Sequence, residues 1–334
     1  MSVSVSFVIP IFNQSSNLLN KSLNALEYID KKIKWEAIVI DDGSAKNYRQ
    51  AYKKIIKKEN SKVKYFYKKN EGVSSARNFG IKCAQYEYVI FVDVDDIELA
   101  SKISLDDFNQ KSDLIIYNVK MKYLSCGKSQ LYSLVEDKDD VSRKDLLPYL
   151  LEDGLLNWVF GKCYRRKFLK KYNIMFNQDI KTGEDFDFNY RILNKYPKIK
   201  YISRTSYIYN YDENSDFNRK RKFPKTSLYD AEHVYQLRKG ILNELDKNNE
   251  EVEAKLKNKL MDAIFYCYAG SILNNHKNIY KESLSVINEH IDENKLSLGS
   301  KVKLRILKRS NSYELKCFLL VKKIYRKIKP YQFS

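Results

Sequence analysis

The run Phe91-Val92-Asp93-Val94-Asp95-Asp96 sets three carboxylates within four positions, and a second acidic pair, Glu184-Asp185, stands far downstream. Carboxylates two apart beyond a strand end address one small volume once the chain turns. Packed so closely, they repel one another unless a cation sits among them. Hard divalent ions such as Mg2+ or Mn2+ take oxygen ligands and bridge one or two carboxylates to substrate phosphates. The same run also reads as a solvated acidic turn, and its spacing alone does not choose. Glu184-Asp185 opens a segment of helical spacing, residues 184–193. It reads either as a carboxylate placed to take a proton from an attacking hydroxyl or as acids favoured by the positive end of a helix. His233, His276 and His290 are the only histidines, and all lie beyond residue 232. A His-based triad or His-rich metal site is therefore excluded from the N-terminal half. The first strand-to-helix turn has no Gly-x-Gly-x-x-Gly and no Walker A lysine loop occurs, which removes support for hydride transfer and P-loop hydrolysis.

These residues need a scaffold, and the first hundred positions supply one. Residues 3–9, 35–40, 62–67 and 86–92 are apolar, β-branched runs, separated by helical spacing over 17–29, 46–57 and 73–85. Strands alternating with helices imply a parallel sheet with helices on both faces. In such sheets the ligand crevice lies beyond the carboxyl ends of the strands. Three of the four runs end in polar clusters: Pro10 to Asn13, Asp41-Asp42, and Asp93 to Asp96. One such cluster is ordinary, whereas three on one rim mark a site. Further strands are expected at 114–119, 129–135, 199–202 and 207–211, and helices at 142–151 and 184–193. Long, charged, helix-favouring segments follow at 227–247 and 250–272. The organisation expected is an α/β domain over residues 1–218 and a helical, basic region over 219–334.

Five segments in order resemble the family 2, GT-A-type glycosyltransferases over about residues 4–217. They are Val8-Ile9-Pro10-Ile11-Phe12-Asn13, Ile38-Val39-Ile40-Asp41-Asp42-Gly43-Ser44, Gly72-Val73-Ser74-Ser75-Ala76-Arg77-Asn78-Phe79-Gly80, Phe91-Val92-Asp93-Val94-Asp95-Asp96 and Gly183-Glu184-Asp185-Phe186-Asp187-Phe188. Each is short and degenerate; five in the correct order are specific. The resemblance implies a GT-A α/β fold and a nucleotide-sugar donor, UDP-linked, held with Mn2+ or Mg2+. In that reading Pro10, Phe12 and Asn13 border the nucleotide, Phe12 stacking on the pyrimidine where the family often has Tyr. Asp42 accepts from the uracil imide, Arg77 contacts the nucleotide and Asp93 the ribose. Asp95, with Asp96 in support, holds the metal. Asp185 is the general base and Glu184 its neighbour against donor or acceptor sugar, with Asp187 facing solvent. The reaction implied is a single in-line, inverting displacement onto a hydroxyl of a glycan, glycolipid or glycoprotein. Residues 158–169 also resemble a family segment; Trp158 either packs on a sugar or belongs to the core. Tyr207, Tyr209 and Tyr211 share one strand face, lining an acceptor cleft or covering the sheet. Asn214-Ser215 matches a loop that closes over the diphosphate. For Arg77 the competing reading is an ion pair with Asp41 or Asp93. Unlike many relatives, this chain offers no His as an additional metal ligand in the region, so the coordination sphere does not carry over whole. A scaffold that binds nucleotide sugar without catalysis is a second reading.

Composition sets the outer bounds. Of 334 residues, 43% are hydrophobic, enough for a packed core. The five cysteines are scattered and form no Cys-x-x-Cys pair, so free thiols in a reducing compartment are expected. The N-terminus has no basic n-region or small-residue cleavage site, and no apolar run nears the roughly 18 residues that span a bilayer. The expectation is a cytoplasmic chain, or one peripheral on the inner face of the plasma membrane. The formal net charge is +19, and residues 301–334 hold eleven Lys and Arg against Glu314 alone. Basic amphipathic helices over 301–308 and 314–329 suit an anionic leaflet or a solvated face packed on protein. The charge also suggests nucleic acid, but no recognition motif accompanies it and the proposed groove is acidic, so no nucleic-acid partner is expected.

Overall fold

The computed structural model describes residues 3–56, 62–98, 100–134, 136–212, 224–245, 249–273, 279–310 and 312–328. The expected boundary near 218 and the Asn214-Ser215 loop lie outside them. Two compact units divide the chain: Met1–Tyr123 with Gly127–Tyr211, and Leu124–Cys126 with Asp212–Ser334.

The first unit is built on a nine-stranded sheet. Its strands are β1 (Ser4–Ile11), β2 (Lys34–Asp42), β3 (Val63–Lys68), β4 (Tyr88–Phe91), β5 (Ile97–Glu98), β6 (Leu114–Tyr123), β7 (Ser129–Tyr132), β8 (Lys162–Arg165) and β9 (Ile199–Tyr211). The order is β3-β2-β1-β4-β8-β6-β9-β5, with β7 paired to β6. β1 to β4 are mutually parallel, as their alternation with helices requires. The expected parallel sheet ends there: β8 runs antiparallel to both β4 and β6, and β5 antiparallel to β9. Strands β5 and β8 were not anticipated, being too short to carry a period. β9 is one strand where two were expected: at the exposed pair Ser203-Arg204 the ladder to β6 shifts register, from Tyr117 beside Ile202 to Asn118 beside Thr205, and pairing then resumes.

Central strands covered on both faces read as continuous apolar runs. Val5, Phe7, Val8 and Ile9 of β1 and Ala37 to Ile40 of β2 are fully buried. Between the parallel strands lie helices α1 (Ser16–Leu26), α2 (Lys46–Ile56) and α3 (Val73–Cys83). α3 lies directly on β1 because residue 80 is glycine: a Cβ there would come 2.3 Å from Val8 Cγ1. Register aligns Ile11 with Asp41 and Val8 with Phe91, so the ends of β1, β2 and β4 share one rim. Three shorter helices complete the unit: α4 (Arg143–Leu151), α5 (Arg166–Lys171) and α6 (Glu184–Leu193). Two glycines of positive φ, Gly43 and Gly183, make the turns that carry Asp42 and Glu184-Asp185, with φ of +88° at each.

The second unit is helical: α7 (Pro224–Glu244), α8 (Glu250–Leu273), α9 (Tyr280–His290), α10 (Leu298–Arg309) and α11 (Ser312–Ile328). α8 packs against α7, α9 and α10 and buries Leu256, Leu260, Met261, Ile264, Phe265 and Tyr268. None of the described helices is long and apolar enough to cross a membrane. None of the five cysteines is in a disulfide.

Candidate active site

At the first two strand ends the acids are built into the rim. Asn13 takes φ of +50°, a conformation Asn tolerates better than most residues. Its N–H donates to Ser44 Oγ at 2.8 Å, and its Oδ1 accepts from Ala45 N at 2.8 Å, lacing the end of β1 to that of β2. Asp41 is buried, accepting from Ser44 N at 2.8 Å and from the Tyr65 hydroxyl at 2.5 Å. Asp42 Oδ1 accepts from Lys68 Nζ at 2.7 Å and Glu71 N at 3.2 Å, while Oδ2 accepts from Gly72 N at 2.8 Å. Three of the roughly four acceptor positions of that carboxylate are thus filled, leaving one open. Pro10 is half-buried and Phe12 stands 47% exposed.

Arg77 joins the two acidic motifs. It sits one turn into α3, its side chain only 4% exposed. Nη2 donates to Asp93 Oδ1 at 3.0 Å and Oδ2 at 3.2 Å, and Nη1 donates to Asp185 Oδ1 at 2.7 Å. Glu184 Oε1 lies 3.8 Å from Nη1. Arg77 therefore pairs with Asp93 and not with Asp41, and it also reaches an acid 108 residues away. Its three carboxylate neighbours raise the guanidinium above its already high value and keep it charged, even though burial works against this. Nε is buried with no hydrogen-bond partner, leaving one donor of the fork unspent.

Beyond β4 the acids diverge. Asp96 is buried; Oδ2 accepts from the Tyr207 hydroxyl at 2.9 Å and Oδ1 from Asn210 N at 2.7 Å. Burial first, then the neighbouring Asp93 charge, push its carboxyl up to about 8. Asp95 is the exposed member, and desolvation followed by Asp93 raises it as well. Among the described residues no lysine or arginine pairs with either carboxyl. The acids do not converge as a three-ligand cage: among the described residues, Glu232, Glu289 and His290 of the second unit are the only such group with ligand atoms within 4.8 Å of one another. A cation on the rim has Asp95 and at most one companion carboxylate to meet, and needs further oxygens from elsewhere.

Asp185 is held from a second direction by the segment before β8. Its Oδ2 accepts from Val159 N at 3.2 Å. That segment is tied down by Lys162, a fully buried lysine that donates to the carbonyls of Leu155 at 2.6 Å, Trp158 at 2.7 Å and Phe160 at 3.4 Å. Burial pushes the Lys162 ammonium down to about 7, opposed by the Asp185 charge. Burial raises Asp185 above the ordinary carboxylate range, with Arg77 opposing. Lys162 carried no signal in the sequence, where a lysine ahead of Arg165-Arg166-Lys167 reads as surface charge. Asp187 corrects an expectation: it is buried rather than solvent-facing, and pairs with Arg191 one turn on at 2.7 Å. Trp158 and Tyr209 are half-buried and Tyr207 is buried, so the alternating tyrosines do share a face, with Phe160 against both Tyr207 and Tyr209.

Known proteins resemble this chain. Residues 6–177 match the family model "Glycosyl transferase family 2". The uncharacterized glycosyltransferase EpsJ of Bacillus subtilis is 25% identical over 223 residues, 63% of this chain and 62% of that protein. The poly(ribitol-phosphate) beta-N-acetylglucosaminyltransferase TarP of Staphylococcus aureus is 31% identical over 191 residues, 54% of each. The chain thus spans less than two thirds of either relative's length. Among solved structures, S. aureus TarS 1-349 in complex with UDP aligns with a TM-score of 0.52 at 21% identity, covering 99% of this chain and 94% of that one. The mannosyltransferase PcManGT of Pyrobaculum calidifontis, in complex with GDP-Man and Mn2+, aligns at 0.51 and 13% identity, covering 98% and 88%. At such identities these two structures speak to the fold, a GT-A sheet followed by helices. With more than half its length inside the matching model, and with the motifs assembled on one rim, the chain belongs to glycosyl transferase family 2.

Proposed function

We propose that this chain transfers a sugar from a UDP-linked donor to a hydroxyl of a glycan, glycolipid or glycoprotein acceptor, with inversion at the anomeric carbon. One observation carries the reading: Arg77 bridges Asp93 to Asp185, drawing the remote acidic pair onto the strand rim beside Asp95. Phe12 and Pro10 flank the pyrimidine, Asn13 shapes the turn beneath it, and the open acceptor position of Asp42 takes the imide N–H. Asp93 faces the ribose and Arg77 supplies a fixed positive charge near the diphosphate. Asp95 and Asp96 fit a hard divalent cation, Mn2+ or Mg2+. Their donors are oxygen, burial and the Asp93 charge raise both carboxyls, and a cation held by this pair would take its remaining ligands from elsewhere. That ion, when bound, neutralises the departing diphosphate. Asp96, held by Tyr207 and Asn210, orients the pair, and Asp95 makes the outward contact. UDP in the TarS complex and Mn2+ in the mannosyltransferase complex support the donor class and the metal class.

Asp185 takes the acceptor hydroxyl proton as its oxygen bonds to the anomeric carbon. The bond from that carbon to the phosphate oxygen breaks, and UDP leaves with the electron pair. No covalent enzyme intermediate forms. Glu184, buried beside Arg77, contacts the sugar being moved. The basic C-terminal helices place the chain against an anionic membrane surface on the cytoplasmic side, where lipid-linked acceptors reside, with residues 1–218 as the catalytic domain and 219–334 as the helical region. The test is a thermal-shift panel of nucleotide sugars with and without Mn2+, followed by turnover of the best donor. UDP-sugars are expected to raise the melting temperature in a Mn2+-dependent way. Asp95→Ala loses that dependence, and Asp185→Ala loses about 10^2–10^4-fold in transfer with the fold intact. Wild-type turnover in both variants defeats the assignment.

A further inference from the structure

Trp158 ends a stack of three rings. Tyr207, fully buried, lies nearly parallel to Phe160 with centroids 4.4 Å apart at 10°, and Phe160 stacks on Trp158 at 5.4 Å and 18°. The stack runs from Asp96, which the Tyr207 hydroxyl binds at 2.9 Å, out to an indole that is only half-buried. Tyr132, edge-on at 4.9 Å, and Tyr209, at 5.7 Å, flank that indole and are half-buried too. Large rings left together partly in water form the kind of patch that marks a ligand surface.

The backbone fixes where the patch lies. Trp158 precedes Val159, whose N–H binds Asp185 Oδ2 at 3.2 Å. The Trp158 carbonyl accepts from Lys162 Nζ at 2.7 Å and from Asn189 Nδ2 at 2.8 Å. One short, pinned segment thus carries both the indole and the amide that aims Asp185. An acceptor whose hydroxyl reaches Asp185 brings the rest of its ring to this segment. The C–H face of a pyranose is apolar and flat enough to lie on an aromatic face, and aromatic contacts reward such geometry beyond area alone. Open-chain polyols present no such face.

We propose that the Trp158 indole, flanked by Tyr132 and Tyr209, is the subsite for a pyranose ring of the acceptor. This deepens the reading of Asp185 as the base and rests on it. The protein has two tryptophans, and Trp35 is buried, so Trp35→Phe leaves Trp158 as the sole emitting indole. Its emission is titrated with methyl β-D-glucoside, methyl β-D-galactoside and methyl N-acetyl-β-D-glucosaminide, with ribitol as the ringless control. At least one glycoside is expected to give a saturable blue shift, and ribitol none. Saturation-transfer NMR on the otherwise native chain should then show that glycoside weakened about tenfold or more in Trp158→Ala and largely restored in Trp158→Phe. A UDP-induced melting shift retained in Trp158→Ala confirms an intact fold. If no glycoside perturbs the indole, or Trp158→Ala binds as the native chain does, the subsite falls. Glycoside binding alongside undiminished transfer in Asp185→Asn removes the base and leaves the subsite standing; lost transfer in Asp185→Asn with no glycoside effect removes the subsite alone.

Discussion

The ionisation of Asp185 is set by opposing neighbours. Burial raises its carboxyl, while Arg77 at 2.7 Å and the Lys162 charge draw it down. A base must be ionised to accept a proton, so turnover falls as pH drops through that raised value. The acid limb of kcat is expected above the ordinary aspartate range near 4. The same direction governs folding. The folded chain holds a proton that the unfolded chain releases, so the contribution of Asp185 to stability is present at low pH and is lost as pH rises through the folded value. Lys162→Met removes one of the charges that favour the ionised form, and the acid limb should move to higher pH. Three carbonyls also lose a buried donor, which lowers stability by about 1–3 kcal/mol. The pH profile of kcat, taken with the donor chosen by thermal shift, separates these effects: an unmoved limb beside a lowered melting temperature makes Lys162 a purely structural anchor. Asp93 and Asp185 were legible in the sequence because each stands in a motif at a strand or helix end. Lys162 was not, since its work depends on burial, and nothing in a four-residue strand announces burial; Tyr207 was placed on a strand face, but its bond to Asp96 was not foreseen.

Helix α3 brings Arg77 to the rim only because it can press onto β1. With a Cβ at residue 80 lying 2.3 Å from Val8 Cγ1, the helix must move outward or the core must yield. Gly80→Ala should therefore destabilise by about 1–3 kcal/mol, seen as a lowered denaturant midpoint, and should weaken UDP binding as Arg77 shifts. Val8→Ala opens space at the same contact, so the double variant should be less destabilised than the two single costs added together. Strict additivity would mean that the helix does not rest on that methyl. The parallel half of the sheet and its helices could be read from the sequence because each strand is an apolar run and each helix has its period. In the rest of the sheet β6, β7 and β9 fall where strands were expected, whereas β5 and β8 were not foreseen. β8 covers Lys162–Arg165, where three of the four side chains are charged or phenolic, and β5 has two residues. Their pairing is dictated by the neighbouring strands rather than by their own residues. Asp187 misled for a related reason: on a helix start an acid reads as solvated, yet here the i,i+4 arginine allows it to be buried.

Residues 301–334 hold eleven Lys and Arg against Glu314 alone, about half of the molecule's net charge of +19, and the helices around them show how that charge is presented. α10 buries Ser300, Lys303, Leu304, Ile306 and Leu307. Its opposite face carries Leu298 at 81% exposure and Val302 at 39%, with Arg305 and Arg309, all at helical spacing. α11 begins with exposed Tyr313 and places exposed Leu320 two turns on. Apolar residues exposed among cations are the composition of a helix that lies in a headgroup layer, its cations on anionic lipid and its apolar side chains below them. Each cation near such a surface contributes about 1 kcal/mol, and residues 301–334 carry eleven Lys and Arg, of which Lys303 is buried, against one acid. The full chain should sediment with vesicles containing phosphatidylglycerol and stay in solution with phosphatidylcholine alone. Raising salt from about 0.15 M towards 1 M shortens the screening length from about 8 Å to about 3 Å and should release most of the bound protein. Leu298→Glu with Val302→Glu should weaken binding further at constant salt, because the electrostatic attraction holds the helix at the surface while burial of those two side chains seats it. Equal sedimentation with both vesicle types, or none with either, defeats the membrane reading. The same helices would then be left to a protein partner whose surface is acidic.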